Sequence, residues 1–260
     1  MDIDATKQVS RQRALPHKGS LPAPHRRLSQ VSAPGYTGRK RGEVVRTRTT
    51  AFQPFTHQWI GTYAGAGNGK YREELKRALQ AVTWYAPAHA LPLSQIVIRL
   101  DGLYSDAAPL SEVLRTGLDV IARSKEYTLL DRAEVQAVLA RPPVEICTHP
   151  ESGAVRALYD CPDIPLREPG GPRVRLIVAT HPETPVSHKI GKKRDSVIYE
   201  LFVTRLPVPA FSAKDVLDLY LHRGSFETVL ADEDGEQDTD RWYSHTPCGQ
   251  EWWQILNQWI

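Results

Sequence analysis

The sequence predicts an α/β protein, a core of strands and helices interrupted by a β-rich insertion. Three observations predict it. Short apolar runs, Ile96–Leu100 and Val197–Leu206, have the length and branched content of buried central strands. Stretches with helical spacing of apolar residues alternate with them, around Leu75–Val82 and over Phe211–Leu230. Between the two apolar runs, residues 142–190 are rich in proline and glycine and carry strand-like segments. At 260 residues the chain accommodates one sizeable domain, or a core plus an insertion.

The elements follow in order. Asp2 and Asp4 share a face if residues 1–6 form a strand, because strand side chains alternate. Residues 7–42, basic and punctuated by Pro16, Pro22, Pro24 and Pro34, read as a loop or extended arm. Glu43–Phe52, with arginine and threonine alternating, reads as a strand, and Thr56–Ala64 as its antiparallel partner. Gly65–Gly69 is a glycine-rich turn; it lacks the Gly-Lys-Ser/Thr ending of a phosphate loop. Tyr71–Trp84 is a helix on the spacing of Leu75, Ala78, Leu79 and Val82. Gln95–Leu100 is a buried strand closed by Asp101-Gly102. A helix, a Leu118–Ala122 strand and a second helix occupy 110–140, and strands fall at Ala154–Tyr159 and Val174–Ala179. Phe211–Leu230 reads as one amphipathic helix with Ser212 as N-cap and Asp215 completing a capping box. Residues 232–240 read as an acidic loop. Trp252, Ile255, Leu256, Trp259 and Ile260 fall on one helical face, read as a packing face.

Charge is unevenly placed. Residues 1–50 hold eleven Lys or Arg against three acids, whereas the other 210 hold 22 against 27. A basic arm beside a near-neutral body suits a polyanionic partner or a solvated tail. No apolar run approaches a membrane span, and no secretory signal is evident. Three widely spaced cysteines, without a Cys-x-x-Cys pair, argue against a disulfide framework or zinc site and suit a reducing cytosol. His57, His181, His188, His222 and His245 lack metal-ligand spacing and read as structural or surface residues.

Three carboxylates stand out by position. Asp101 closes a buried strand, where open α/β sheets bind ligands, although a turn residue is the plainer reading. Glu227 shares a helical line with Tyr220 and Arg223, although an Arg–Glu pair four apart is ordinarily a surface ion pair. Asp4 is the third. Hard divalent cations take such oxygen ligands.

The segment Tyr220-Leu-His-Arg223-Gly-Ser-Phe-Glu227 resembles the Tyr-x2-Arg-x3-Glu signature of bacterial insertion-sequence transposases, the DDE enzymes of the IS-four superfamily. Tyr199–Thr204 and Phe211–Leu217 resemble that family's last core strand and the start of its glutamate helix. Arg99-Leu-Asp101-Gly-Leu-Tyr104 resembles its second-aspartate motif, and Asp4-Ala-Thr6 its first. The resemblance implies an RNase H-like core. Its first part spans 1–105, a β-rich insertion 106–190, the last core strand and Glu helix 191–232, and an acidic loop with a C-terminal helix 233–260. It implies Asp4, Asp101 and Glu227 as catalytic ligands of Mg2+ or Mn2+, and Tyr220 and Arg223 as DNA contacts. A similar arginine in relatives makes Arg123, beyond the Leu118–Ala122 strand, a phosphate contact, and Arg39, Lys40 and Arg41 are the best backbone contacts of the basic arm.

The expected activity is therefore metal-dependent cleavage at transposon ends and strand transfer into target DNA. The alternative is an inactive remnant that at most binds DNA. Partners would be DNA and, in the full-length enzyme, a second copy in a homodimer; the location would be cytoplasmic, at the nucleoid. Asp234 stands where the family signature has lysine, with Lys192, Lys193 and Arg194 as possible substitutes. The family carries a helical DNA-binding region ahead of the first aspartate and a further C-terminal segment, so the chain reads as truncated at both ends.

Overall fold

The protein was analysed as a computed structural model that describes residues 1–9, 31–36, 41–148, 153, 155–166, 172–183, 191–236, 244 and 246–258. It is an α/β protein with strands in mixed orientation flanked by helices. The chain divides into two units, Met1–Leu91 with Gly224–Ile260, and Pro92–Arg223. Among the described residues no helix is long and apolar enough to cross a membrane.

The first unit is built on one long strand, β3 (Arg41–Gln53). Strand β1 (Asp2–Val9) pairs antiparallel along one edge, from Asp2 opposite Phe52 to Val9 opposite Val45. Strand β4 (Gln58–Ala66) pairs along the other, followed there by β2 (Ala33–Tyr36). Lys7–Val9 and Ala33–Tyr36 are thus strand rather than the expected loop or arm. Arg41 opens β3, while Arg39 and Lys40 lie outside the described residues.

Alternation gives β3 two distinct faces. Val45, Thr47, Thr49 and Ala51 face helix α1 (Tyr71–Ala88), which buries Leu75, Ala78, Leu79, Val82 and Ala86. The buried Glu74 pins this contact. Its carboxylate accepts from Thr47 Oγ1 at 3.0 Å, Thr49 Oγ1 at 2.7 Å and the Lys70 amide at 3.0 Å. A buried carboxylate is tolerated when its lone pairs are filled in this way.

The other face carries Arg46, Arg48, Thr50 and Phe52, beside Gln8, Thr6, Asp4 and Asp2 of β1. Helix α5 (Gly224–Glu236) covers one end, with Phe226 stacked on Phe52 at 5.2 Å. Helix α6 (Pro247–Asn257) covers polar ground, which reverses the expected tryptophan packing face. It buries Gln250, Gln254 and Asn257 and leaves Trp252 59% exposed. The cause is the partner surface. Gln254 donates to Gln8, Thr62 donates to Gln258 at 2.7 Å, and Arg46 reaches the Pro247 carbonyl at 3.4 Å. Trp259 and Ile260 lie outside the described residues.

In the second unit, β5 (Val97–Leu100) and β6 (Asp119–Ser124) are parallel, joined through α2 (Ala107–Arg115). A short helix α3 (Ala133–Leu139) follows. The sheet continues antiparallel from β6 to β11 (Val197–Thr204), β9 (Arg173–Pro182), β8 (Val155–Pro165) and β7 (Glu145–Thr148). Strand β10 (Lys192–Arg194) returns to β11 through Asp195 and Ser196, at φ 46° and 66°, the left-handed geometry of a tight hairpin. Helix α4 (Ala213–Leu221) packs Val216, Leu217 and Tyr220 on Ile121, Ile177, Ala179 and Phe202. Ser212 and Asp215 form the expected capping box.

The expected single helix 211–230 is two. Helix α4 ends at Leu221 and α5 begins at Gly224. The ladder lapses where the His222 ring bonds the Asp218 carbonyl at 2.7 Å and the Arg223 amide turns to Tyr220 O at 3.0 Å, a 3-10 spacing. Gly224, a poor helix former, follows. The acidic stretch from 232 is helical up to Glu236, and 237–240 lie outside the described residues.

Two glycines test the first unit's packing against simple backbone strain. Gly69 has φ +69°, and a Cβ there would strike Thr47 Oγ1 and stand 2.6 Å from Glu74 Oε1. Gly117 has φ +83° with nothing within 4 Å. Gly117→Ala is expected to cost about 1 kcal/mol from backbone strain alone. Gly69→Ala is expected to cost roughly 2–4 kcal/mol, because the Glu74 hydrogen bonds are disturbed as well. Urea unfolding of both variants measures the difference.

Candidate functional site

The residues singled out in the sequence fall into both units. Asp4 lies mid-way along β1 rather than at a strand end, half-buried, with Oδ1 accepting from the Ala5 amide at 2.9 Å. It is paired with Thr50, two residues from Phe52 on the same sheet face, and Phe52 is where α5 docks. Glu227 is exposed in the first turn of α5, next to the buried Phe226. A carboxylate suits that position, where the helix N-terminus is electropositive.

Four of the predicted residues gather in the second unit. Asp101 follows β5 and caps a 3-10 turn over Gly102–Tyr104, with Oδ1 accepting from the Leu103 amide at 2.8 Å. The second oxygen, Oδ2, is clear of that bond. The plain reading of Asp101 as a turn residue is thus partly right, and it leaves an oxygen for a ligand. Gly102 allows close approach: a Cβ there would stand 2.9 Å from Lys125 Nζ. Arg123 lies within β6 rather than beyond it.

Tyr220 ties these residues together. Its ring packs on Phe202 at 4.9 Å, and Arg223 lies over the same ring at 5.9 Å and hydrogen-bonds its hydroxyl. Burial pushes the Tyr220 hydroxyl above its ordinary pKa; Arg223 and Arg123 pull it down and Asp101 pushes it up. The phenol therefore stays protonated at neutral pH, able to donate a hydrogen bond. Arg99 fixes the helix that carries it, donating to the Leu219 carbonyl at 2.8 Å.

A polar cluster that the sequence reading passed over adjoins this group. Glu200 of β11 is 3% exposed and stands 3.0 Å from Arg156 Nε, 3.5 Å from His181 Nε2 and 3.6 Å from Arg123 Nη2. The signal was present: a lone carboxylate amid the apolar residues of Val197–Thr204, facing Ala179 of another buried strand. His181, read as structural, is part of this group.

Other candidates are engaged elsewhere. Arg194 holds Asp131 at 2.5 Å and Lys193 holds Glu183 at 2.6 Å, so two of the three basic residues offered in place of the signature lysine have acidic partners. The cysteines are free thiols, and burial pushes Cys161 up to about 12. It is therefore no nucleophile at neutral pH. Within either unit, among the described residues, no three His, Cys, Asp or Glu side chains stand together as a metal-holding group.

Neither a protein-family model nor a curated protein matches this chain.

The Tyr220 environment predicts a graded response. Tyr220→Phe keeps the ring on Phe202 and is expected to cost no more than about 1.5 kcal/mol, the value of a typical hydrogen bond. Tyr220→Ala is expected to cost roughly 3–5 kcal/mol, as large aromatic truncations in cores do. Denaturant midpoints of the two variants separate the ring's contribution from the hydroxyl's.

Proposed function

We propose that the chain is the catalytic domain of a DDE DNA transposase of the IS-four superfamily, with an RNase H-like core. One observation carries this reading. Tyr220 and Arg223, the tyrosine and arginine of the signature, stand with Arg123 around the same phenol that senses Asp101. A chance match to the signature gives no reason for its tyrosine to lie within the electrostatic reach of the strand-end aspartate.

The element pattern supports the same reading. The Asp4 strand belongs to an antiparallel trio, β1-β3-β4, followed by a helix. Asp101 ends the first strand of a parallel β-α-β step, and Glu227 sits on a helix after a later buried strand. Strands β7–β9 occupy the stretch between Asp101 and Glu227.

The donor set is three carboxylates, which suits a hard divalent ion. Asp4, Asp101 and Glu227 would hold Mg2+ or Mn2+, which supplies Lewis-acid charge for phosphodiester cleavage. Arg123 and Arg223 neutralise the phosphate, and the Tyr220 phenol donates to a non-bridging oxygen. Water attacks the phosphorus at the element's end as the bond to the departing 3′-oxygen breaks. The freed 3′-hydroxyl then attacks target DNA, forming one P–O bond as another breaks. The family's homodimer and its work at the nucleoid belong to this proposal.

A second reading, an inactive derivative that binds DNA, is favoured by Asp234 in α5, where the signature has lysine. Nicking of supercoiled plasmid in Mg2+ separates the two. Wild-type protein should nick, and Asp4→Ala, Asp101→Ala and Glu227→Ala should each lower the rate by at least about a hundredfold, a loss of roughly 2.7 kcal/mol of transition-state stabilisation. Absence of nicking by the wild type, or full activity in any of the three variants, would sink the enzyme reading.

A further inference from the structure

We propose that one row of side chains across the second unit's sheet is a track for the DNA phosphodiester backbone, with Arg156 as a phosphate-binding residue beyond Arg123 and Glu200 as the residue that positions both. The inference rests on the DNA-acting reading above and extends it to Arg156, Glu200 and His181, to which that reading gives no role.

The row follows from strand order. Arg156, His181, Glu200, Arg123 and Asp101 come from β8, β9, β11, β6 and the end of β5, which are consecutive neighbours in the sheet. Pairing places them on one face. Leu158 pairs with Ala179 and Ala179 with Glu200, so Arg156 and His181, each two residues along, share the Glu200 face. Arg123 pairs with Phe202, two residues from Glu200. Arg99 pairs with Ile121, which puts Asp101, two residues on, level with Arg123 on that face. This is the side that α4 covers with Tyr220.

Four strand steps at about 4.8 Å each make the row roughly 19 Å long. Phosphates of one strand recur about every 3.4 Å along a duplex axis, so such a row meets more than one of them.

The charge balance favours an anion. Three permanent cations, Arg123, Arg156 and, over the Tyr220 ring, Arg223, stand against two carboxylates, Glu200 and Asp101. The Glu200 carboxylate is sealed from water, while the Arg123 and Arg156 side chains remain 18% and 14% exposed. Arg123 Nε is buried and has no hydrogen-bond partner. An arginine held by a carboxylate behind it enters binding with less rotamer freedom to lose, and its planar fork suits phosphate. Arg156 uses Nε on Glu200, which directs the far end of the fork away from the carboxylate.

The test is binding of a fluorescein-labelled DNA duplex of about 30 base pairs in EDTA, followed by anisotropy between about 50 and 200 mM salt. Arg123→Ala and Arg156→Ala should each weaken binding several-fold and reduce the slope of log affinity against log salt by about 0.9. Arg156→Ala strands Glu200 and could unfold the sheet. The double variant Arg156→Gln/Glu200→Gln removes one charge of each sign, leaves the net charge unchanged, and should show the same loss of slope. Arg173→Ala, at the far end of β9 and paired with Asp163, is the control and should bind as the wild type does. Wild-type slopes in both Arg156 variants overturn the track, as does failure of the wild type to bind the duplex. Plasmid nicking with an Arg156-independent slope overturns the track and leaves the transposase reading standing. An Arg156-dependent slope without nicking supports the track and removes the enzyme reading.

Discussion

The burial of Glu200 constrains the second unit more than any other single interaction. Removing a carboxylate from water costs several kcal/mol even after relaxation, and a lone apolar environment returns none of it. Glu200 sits 3% exposed in a central strand, and its compensation comes from three different strands. A one-residue slip of β6 or β9 against β11, or of β8 against β9, would turn Arg123, His181 or Arg156 to the opposite face. The cluster therefore ties four strands to one register. The same demand that fixes the register brings Arg123 to the Asp101 group and sets Arg156 at the far end of the row.

The first unit handles buried polarity differently. Glu74 accepts from two hydroxyls and an amide. Arg46, 1% exposed on the opposite face, gives its hydrogen bonds to the Val31 and Pro247 carbonyls. Burial lowers its pKa, and the charges of Glu251 and Glu74 act against that. A sheet face lined with Gln8, Arg46, Thr50 and Thr62 cannot be covered by an apolar helix without stranding these groups. That is why α6 turns its glutamines inward and Trp252 outward.

Much of this was legible in the sequence, and the failures share a cause. Strands β3, β4, β5, β6, β9 and β11 and helix α1 announced themselves through local period, and Ser212–Asp215 through local capping chemistry. Asp101, Arg123, Tyr220 and Arg223 were named from sequence, and they stand together. The α6 face was misread because amphipathic reasoning assumes an apolar partner, and the partner is a polar sheet made of residues more than 180 positions away. The row from Arg156 to Asp101 was not legible at all. Asp101, Arg123 and Glu200 each carried a signal in its own segment, but only the order β8-β9-β11-β6-β5 lines them up with Arg156 and His181.

The lapse between α4 and α5 is the most informative departure, because it bears on how Tyr220 and Arg223 meet. In a continuous α-helix, residues three apart are displaced by about 60° around the axis, since 3.6 residues make a turn. In a 3-10 turn they eclipse. The Arg223 amide bonds the Tyr220 carbonyl with that three-residue spacing, at 3.0 Å. The arginine is thereby carried over the tyrosine ring, where its guanidinium lies at 5.9 Å and reaches the hydroxyl. A straight helix would keep Tyr220 on the core and set Arg223 about 60° around the axis from it. The tightened turn makes them one unit, wedged by Phe202 from behind and biased by Arg123 and Asp101 beside it. Spacing in the sequence put Tyr220 and Arg223 on a common line; the local loss of α-helical geometry is what closes that line into a contact.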